Sequence, residues 1–463
     1  MARYRNIDRE TRMLFPEDMR EWVAEDSIVH FIIEAVEAVG EAGYHENPKG
    51  SGSEQFPPEM MTELLIYSYA TGKFSSYEIE KATYNDVPTR YICANTHPDH
   101  NTVNNFRNSN REAFKTVFTK VLVLAQNTGI IKKIGTVSVD GTKMHANAGK
   151  HKAVSYKYAK EAIGRTEKEI EELIEKAEAG DNTENEVDIP EEIAFRERRK
   201  AVLTDAVTQM EEMYREVYEG EKKEYDEKIK KQEEEEKKNG KKKRGKKLKE
   251  PGTDVPDSAQ LNFTDKESRI MKYGNSDEFE QCYNLQAVVD TDSMVIVGKY
   301  ATQNANDKQE IKKGIESIGE EVEQEEKLKV CADTGYFNGP LIDETEKEHG
   351  EVKIYCAVRR EEHGRTPEKL FTKLPEEEPD ENEKEAMNAQ KMLARLKTVP
   401  GQEIYNRRKI TVEPVFGIIK RVMKFRQFLT RGLDNISNEW NLVTLAYNFR
   451  RLFGLRNLKL RAA

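Results

Sequence analysis

Along the first 130 residues, apolar positions recur at the three-and-four spacing of helices that bury one face. Ser27 stands as an N-cap before an apolar-periodic segment that ends near Val39. Pro57 and Pro58 open a second segment, where a first helical turn tolerates them, and Ser75 with Glu78 has the spacing of a capping box. A further helix is predicted over 101–124, after a turn at 95–100. At 131–140 the period changes: Thr-Val-Ser-Val is a β-branched run that ends at Asp140 and is followed by Gly-Thr-Lys. This predicts a strand closing at a glycine turn, with its carboxylate projecting past the sheet edge, where open α/β sheets collect ligands.

From 156 to 236 the pattern is helical and heavily charged. Leu203, Ala206, Met210, Met213 and Val217 form a heptad seam, Ile170, Leu173 and Ala177 repeat it, and a break at 180–190 separates the two runs. An antiparallel helical hairpin, extended over 221–236, is the expectation, in a structural or interface role and not a catalytic one. The basic run 241–249 and the stretch between Pro251 and Pro256 read as a solvated linker. Strand patterns return at 282–290 and 294–301, around a turn whose Asp290 and Asp292 are ordinary turn residues. A helix over 307–320 with Asp307 as its cap, a strand ending at Asp333, a helix over 339–349 and a strand over 352–358 follow. One amphipathic helix is expected at 382–396. The segment 411–420, Thr-Val-Glu-Pro-Val-Phe-Gly-Ile-Ile-Lys, is expected to begin another, and 439–453 a strongly amphipathic last one with Trp440 as a core anchor.

Composition narrows the class. The 35% charged and 37% hydrophobic fractions fit a soluble chain with long solvated helices, and 463 residues give room for about three domains. No stretch reaches the roughly 18–20 apolar residues of a membrane span, and the N-terminus has no apolar targeting core, so a cytoplasmic location is expected. Cys93, Cys282, Cys331 and Cys356 have no paired spacing for zinc or disulfides and read as small buried hydrophobes. The net charge of −10 hides an asymmetry: from Tyr405 onward thirteen Lys and Arg face the three acids Glu413, Asp434 and Glu439. Local basic patches, not net charge, make a polyanion footprint. The helices around the turn at 95–100 resemble a helix-turn-helix, whose second member offers Asn101, Asn104, Asn105 and Arg107 to base edges.

Three carboxylates carry the chemistry. Asp140 and Asp333 end strands, and Glu413 lies in a segment otherwise apolar or basic. Breaking and joining phosphodiesters needs an activated oxygen, a stabilised leaving oxygen and an in-line phosphorus, which two divalent ions held by a few carboxylates supply. Because proline is acceptable only in a helix's first turn, Thr411 is the expected N-cap with Glu413 behind it. On that count Val415, Ile418, Ile419 and Val422 form the apolar stripe. Glu413, Lys420 and Lys424 share the opposite side, within about 40° of one another on the 3.6-residue period. His145 and His151 lie near Asp140 without a metal-ligand pattern.

These segments carry a resemblance. Ser-Val-Asp-Gly-Thr-Lys at 138–143, Tyr-Asn-Leu-Gln-Ala-Val-Val-Asp at 283–290, Asn-Asp-Lys-Gln-Glu at 306–310, Ala-Asp-Thr-Gly-Tyr-Phe at 332–337 and the run 407–420 occur in order. The chain resembles, over about residues 5–455, a DDE transposase of a prokaryotic insertion sequence, in the branch with a Tyr-Arg-Glu-Lys signature. The resemblance implies an α/β ribonuclease H-like catalytic domain, a mixed sheet with helices, interrupted by a helical insertion and preceded by an all-α domain. The segments would be 1–130, helical and DNA-binding; 131–150, the first part of the catalytic domain; 151–270, the hairpin and basic linker; and 271–463, the remainder. Asp140, Asp333 and Glu413 would be the catalytic, metal-binding triad for two Mg2+ ions, with Mn2+ substituting. Lys143 and Lys424 are further candidate contacts to DNA, and Lys420 would be the signature lysine. For the signature's Tyr and Arg, strict spacing to the acid lands on Lys409, whereas Tyr405 and Arg408 keep the expected gap of two and require a one-residue bulge. No cysteine lies in 359–403, so no zinc site is expected there. The implied partners are double-stranded DNA, as terminal inverted repeats and target, and a second copy of the chain. The alternative is a transposase-derived DNA-binding regulator without transposition activity, and an interaction protein built on 156–236 is a third class.

Overall fold

The computed structural model describes residues 18–45, 54–178, 188–239, 250, 252, 254–274, 278–358 and 389–462. The chain divides into two compact units, one made of residues 1–145 and 283–463 and the other of residues 146–282.

The first unit opens with six helices: α1 (Ile28–Val39), α2 (Pro58–Ala70), α3 (Ser76–Asn85), α4 (Val87–Ile92), α5 (His100–Ser109) and α6 (Arg111–Asn127). Ser27 caps α1 as expected, its side chain accepting from the Val29 N–H. Ser75 precedes α3 without a side-chain cap, so the capping-box spacing there is not used. The helix expected over 101–124 is two helices, broken at Asn110, whose amide side chain donates to Phe106 O and accepts from the His45 N–H. A side chain that serves loop backbone in this way competes with helix continuity.

The sheet follows. β1 (Ile134–His145) runs straight through Asp140, so the expected glycine turn at 141 is absent. The remaining elements of this unit are β5 (Phe279–Asp290), which crosses the division between the units, β6 (Ile296–Thr302), α9 (Glu310–Glu316), β7 (Gln324–Ala332), α10 (Gly339–Glu348) and β8 (Val352–Cys356). The second unit contributes β2 (Ala153–Ser155), α7 (Tyr156–Glu178), α8 (Ile189–Asn239), β3 (Gln260–Asn262) and β4 (Arg269–Lys272). In the first unit the strand order is β6-β5-β1-β7-β8. β1, β7 and β8 are parallel, and β5 with β6 is an antiparallel hairpin, so the sheet is mixed. Parallel strands covered on both faces read as continuous apolar runs. Accordingly Val137, Val139, Val330, Cys331 and Ile354 are fully buried.

Three helices close the chain: α11 (Ala389–Lys397), α12 (Val399–Gly417) and α13 (Leu433–Ala462). α13 packs along α2, α6 and the outer strand β6. Its Asn448 side chain accepts from the Ile296 N–H and donates to Ile296 O, occupying backbone groups that an edge strand would otherwise present. Trp440 is fully buried and its indole N–H donates to Gln286 O, which bears out its reading as a core anchor. All four cysteines are buried, as expected.

In the second unit, α7 and α8 pack on each other and on the antiparallel pair β2–β3. Leu203, Ala206 and Met210 are buried, as the heptad seam predicted, and they meet Tyr156, Ala159 and Ala162. The partner face therefore comes from the start of α7. The break at 180–187, the basic run 241–249 and residues 382–388 lie outside the described residues. The part of the expected linker that is described is not all solvated, since Val255 packs against the same apolar cluster. No helix among the described residues is long and apolar enough to cross a membrane.

Candidate active site

Register brings the two aspartates together. β1 and β7 are parallel neighbours in which Ser138 pairs with Cys331, so counting two residues on sets Asp140 level with Asp333. Asp140 Oδ1 accepts from the Gly141 N–H at 2.8 Å, and Asp333 caps a short 3-10 turn, Thr334–Tyr336, by accepting from the Gly335 N–H at 2.8 Å. Burial, and then the charge of Asp333, push the Asp140 carboxyl up to about 7, while the Gly141 N–H and Arg408 oppose the shift. Two carboxylates that cannot both ionise cheaply form a site that favours a cation.

Glu413 stands on α12 facing Arg408, in a way the sequence did not predict. The helix begins at Val399, capped by Thr398, and not at Thr411. Pro414 is therefore inside the helix, where it supplies no N–H to Ile410 O. Thr411 is fully buried and its hydroxyl donates to Arg407 O. A π-helical turn, Ile418–Val422, continues α12 and adds a residue to its winding. The buried stripe accordingly runs Val412, Val415, Phe416, Ile419 and Met423, and Val422, expected in the stripe, is 55% exposed. Lys424 lies past the helix at φ +65°, so its shared helical face with Glu413 and Lys420 does not exist.

Arg408 links the acids. Its side chain is 11% exposed, one guanidinium nitrogen lies 4.0 Å from Asp140 Oδ2 and another 3.9 Å from Glu413 Oε1. The Tyr405 ring, three residues back on the same helix, lies 5.8 Å from the guanidinium carbon. Tyr405 and Arg408 are thus a helical i, i+3 pair, and no bulge separates them from the acid. Arg407 pairs instead with Asp292, at 2.8 Å. Lys409 has no described side chain. Lys420 Nζ donates to Thr142 Oγ1 at 2.6 Å and to Lys143 O at 3.0 Å, against the stretch of β1 just past Asp140. Lys143 Nζ lies 3.7 Å from Asp307 Oδ1.

Asp307 was read as a helix cap. Its carbonyl does accept from the Glu310 N–H, but its carboxylate turns into the site, where Oδ1 accepts from Asn284 Nδ2 at 2.6 Å and Gln286 Nε2 at 2.7 Å. The signal available in the sequence was polar: Asn284 and Gln286 interrupt an apolar strand and are fully buried. The Tyr336 hydroxyl donates to Gln286 Oε1, which completes that amide.

Other expectations fall away from the site. Asp290 is turn chemistry as read, its carboxylate accepting from the Ser293 N–H and hydroxyl. Arg107, proposed to read base edges, is 5% exposed and donates to Tyr69 Oη, Phe74 O and Asn104 Oδ1, which removes it from any groove. Asn101 and Asn105 remain exposed. His145 ends β1 and its carbonyl accepts from the Phe428 N–H.

The donor set fits a hard divalent cation: adjacent carboxylates, with a buried amide oxygen, Asn284 Oδ1, that has no partner. Among the described residues no three His, Cys, Asp or Glu side chains already stand at metal-ligating range, Asp140, Asp333 and Asp307 included, and Glu413 is 61% exposed and turned to Arg408.

Residues 234–449 match the model of a transposase DDE domain, and residues 17–109 match a transposase domain (DUF772). The first match contains Asp333 and Glu413, and β1 with Asp140 lies outside both. No curated protein and no solved structure matches the chain. Transposase DDE domains act on DNA and depend on divalent metal. Two transposase models matched in order along one chain support a DDE transposase of the insertion-sequence type.

Proposed function

We propose that the protein cleaves DNA at the terminal inverted repeats of its insertion sequence and joins the freed 3′ ends to target DNA, using Asp140, Asp333 and Glu413. The observation that carries this reading is the side-by-side placement of Asp140 and Asp333, with Arg408 reaching from Asp140 to Glu413. The sheet order and the parallel core of β1, β7 and β8 support a ribonuclease H-like domain, interrupted after β1 by a helical insertion. The three carboxylates would hold Mg2+, two ions per site, with Mn2+ as a substitute. Bound there, the metal supplies an activated attacking oxygen and charge relief on the leaving oxygen.

The chain's own residues position the phosphodiester. Arg408, fixed by Tyr405 and the two acids, provides a guanidinium beside the place where phosphate charge builds, and planar Arg suits that task better than Lys. Lys420 and Lys143 bring two ammonium groups to the β1 side. Arg421, Lys424 and Arg426 are exposed beyond the π-helical turn and extend a cationic track for the flanking backbone. Exposed Asn101 and Asn105 on α5 are the N-terminal groups placed to meet DNA. Two DNA ends require two copies, so a homodimer is the working assembly, in the cytoplasm where the element's DNA resides.

The test is Asp333→Asn with a DNA duplex carrying the element's ends and Mg2+. Cleavage should disappear while binding of the ends persists. Cleavage by that variant at the wild-type rate would overturn the proposal.

A further inference from the structure

We infer that Asp307 is a fourth carboxylate of this centre and a direct ligand for its divalent cation. The inference rests on the metal reading of Asp140 and Asp333 and extends it to a residue outside the triad. Asp307 spans the two loaded positions. A Cβ added at Gly141 would lie 2.9 Å from Asp307 Oδ1 and 2.5 Å from Gln286 Nε2, so the residue after Asp140 is glycine because Asp307 and its amide partner fill that space. A Cβ added at Gly335, whose N–H holds Asp333, would lie 3.0 Å from Asp333 Oδ1 and 3.8 Å from Asp307 Oδ2. One carboxylate thus faces the backbone beside both strand aspartates.

The way Asp307 is held separates its two oxygens. Oδ1 receives both amides, from Asn284 and Gln286, and has Lys143 Nζ nearby. No donor among the described residues reaches Oδ2, the oxygen toward Asp333. Two fully buried amides on β5 are a costly way to hold a helix cap, since buried polar groups are retained only when their bonds are made. Asn284 Oδ1 has no partner, is fully buried, and lies 2.9 Å from the Gly141 Cβ position, so an unused oxygen acceptor faces the same space. Hydrogen-bonded support of one carboxylate oxygen, with the other left to the ion, is the arrangement that orients metal ligands.

The experiment counts bound Mn2+ by electron paramagnetic resonance and measures its affinity by calorimetry. It uses the full chain as wild type, Asp307→Asn and Asp140→Asn, each also melted with and without Mn2+. Asp307→Asn should weaken Mn2+ binding tenfold or more, or lose one ion, and should shrink the Mn2+-induced rise in Tm, while its metal-free Tm stays near wild type. If Asp140→Asn loses Mn2+ and Asp307→Asn binds like wild type, Asp307 is not a ligand and the centre itself stands. If Asp140→Asn also binds like wild type, the metal reading fails and this inference fails with it. Should Asp307→Asn not fold, Fe2+-directed backbone cleavage of the wild-type chain decides. Cuts beside Asp140, Asp333 and Asp307 support the ligand, and cuts beside the first two without the third overturn it.

Discussion

Arg408 reaches Asp140 across the gap between α12 and β1, its nitrogen 4.0 Å from the Asp140 Oδ2 while a second nitrogen faces Glu413 at 3.9 Å. A guanidinium in that position does two opposed things: it lowers the repulsion among the acids, and it occupies charge that a cation would otherwise neutralise. Arg408→Ala should therefore raise the affinity for Mn2+ a few-fold. It should also lower cleavage by on the order of 10²–10³, the scale for losing one preorganised charge at a reacting phosphate. Calorimetry and single-turnover cleavage read the two effects separately. A parallel fall in both would place Arg408 in the metal's support instead.

The charge on Asp140 sets a pH dependence. Its folded carboxyl titrates at about 7, raised from 3.8 by burial and by Asp333, so between those values the folded metal-free protein binds a proton that the unfolded chain does not. Stability from this group is fully present below about pH 4 and is lost as pH rises through 7. Metal must displace that proton, so affinity for Mg2+ should climb through pH 6–7 with release of up to one proton. Calorimetry in two buffers of different ionisation enthalpy measures the release. In Asp140→Asn the release should vanish.

A second raised acid lies far from the chemistry. Glu63, on α2, is 6% exposed, and burial together with Glu37 and Glu59 pushes its carboxyl up to about 8 from 4.5. It is protonated in the folded protein at neutral pH, and stability falls as pH rises from about 5 through 8. Glu63→Gln should leave the Tm unchanged near pH 5 and make it higher than wild type at pH 9. A lower Tm for the variant at pH 9 would show that Glu63 is ionised and paired.

Much of this architecture was legible because apolar periodicity depends on local chemistry, although β1 continues past Asp140 to His145 where a strand end was expected. Ser27 before α1, the apolar runs of β5 to β8 and the aspartates at 140 and 333 needed no tertiary knowledge. What was missed depended on distant contacts. Pro414 reads as a first-turn residue, and only the packing of α12 on β1, β7 and β8 offsets its cost inside the helix. The π-helical turn is invisible to a 3.6-residue count, which is why Val422 was placed in the core and Met423 was not. Arg107 looks like a base reader until Tyr69 on α2 and Phe74 in the connection after it come to bury it. Asp307 satisfies a helix-cap pattern locally, and its side-chain bonds need β5, 21 and 23 residues earlier, to supply two amides.

Pro414 itself can be tested. It sits next to Glu413, one turn before the π-helical residues that carry Lys420, and leaves Ile410 O without its helical donor. Pro414→Ala restores that N–H, and an interior proline costs a helix about 3 kcal/mol relative to alanine. Part of that gain is offset by the extra freedom of the unfolded chain, about 0.4–1 kcal/mol. The variant should therefore be more stable by about 2–2.6 kcal/mol, read as a higher urea midpoint with unchanged slope. Cleavage should fall at the same time, because a regular helix would hold Glu413 in its exposed position, turned to Arg408, and resist its movement toward the two aspartates. A variant that is more stable and equally active would show that the proline serves the helix path alone. One that is less stable would show that residues 399–417 do not tolerate a regular winding.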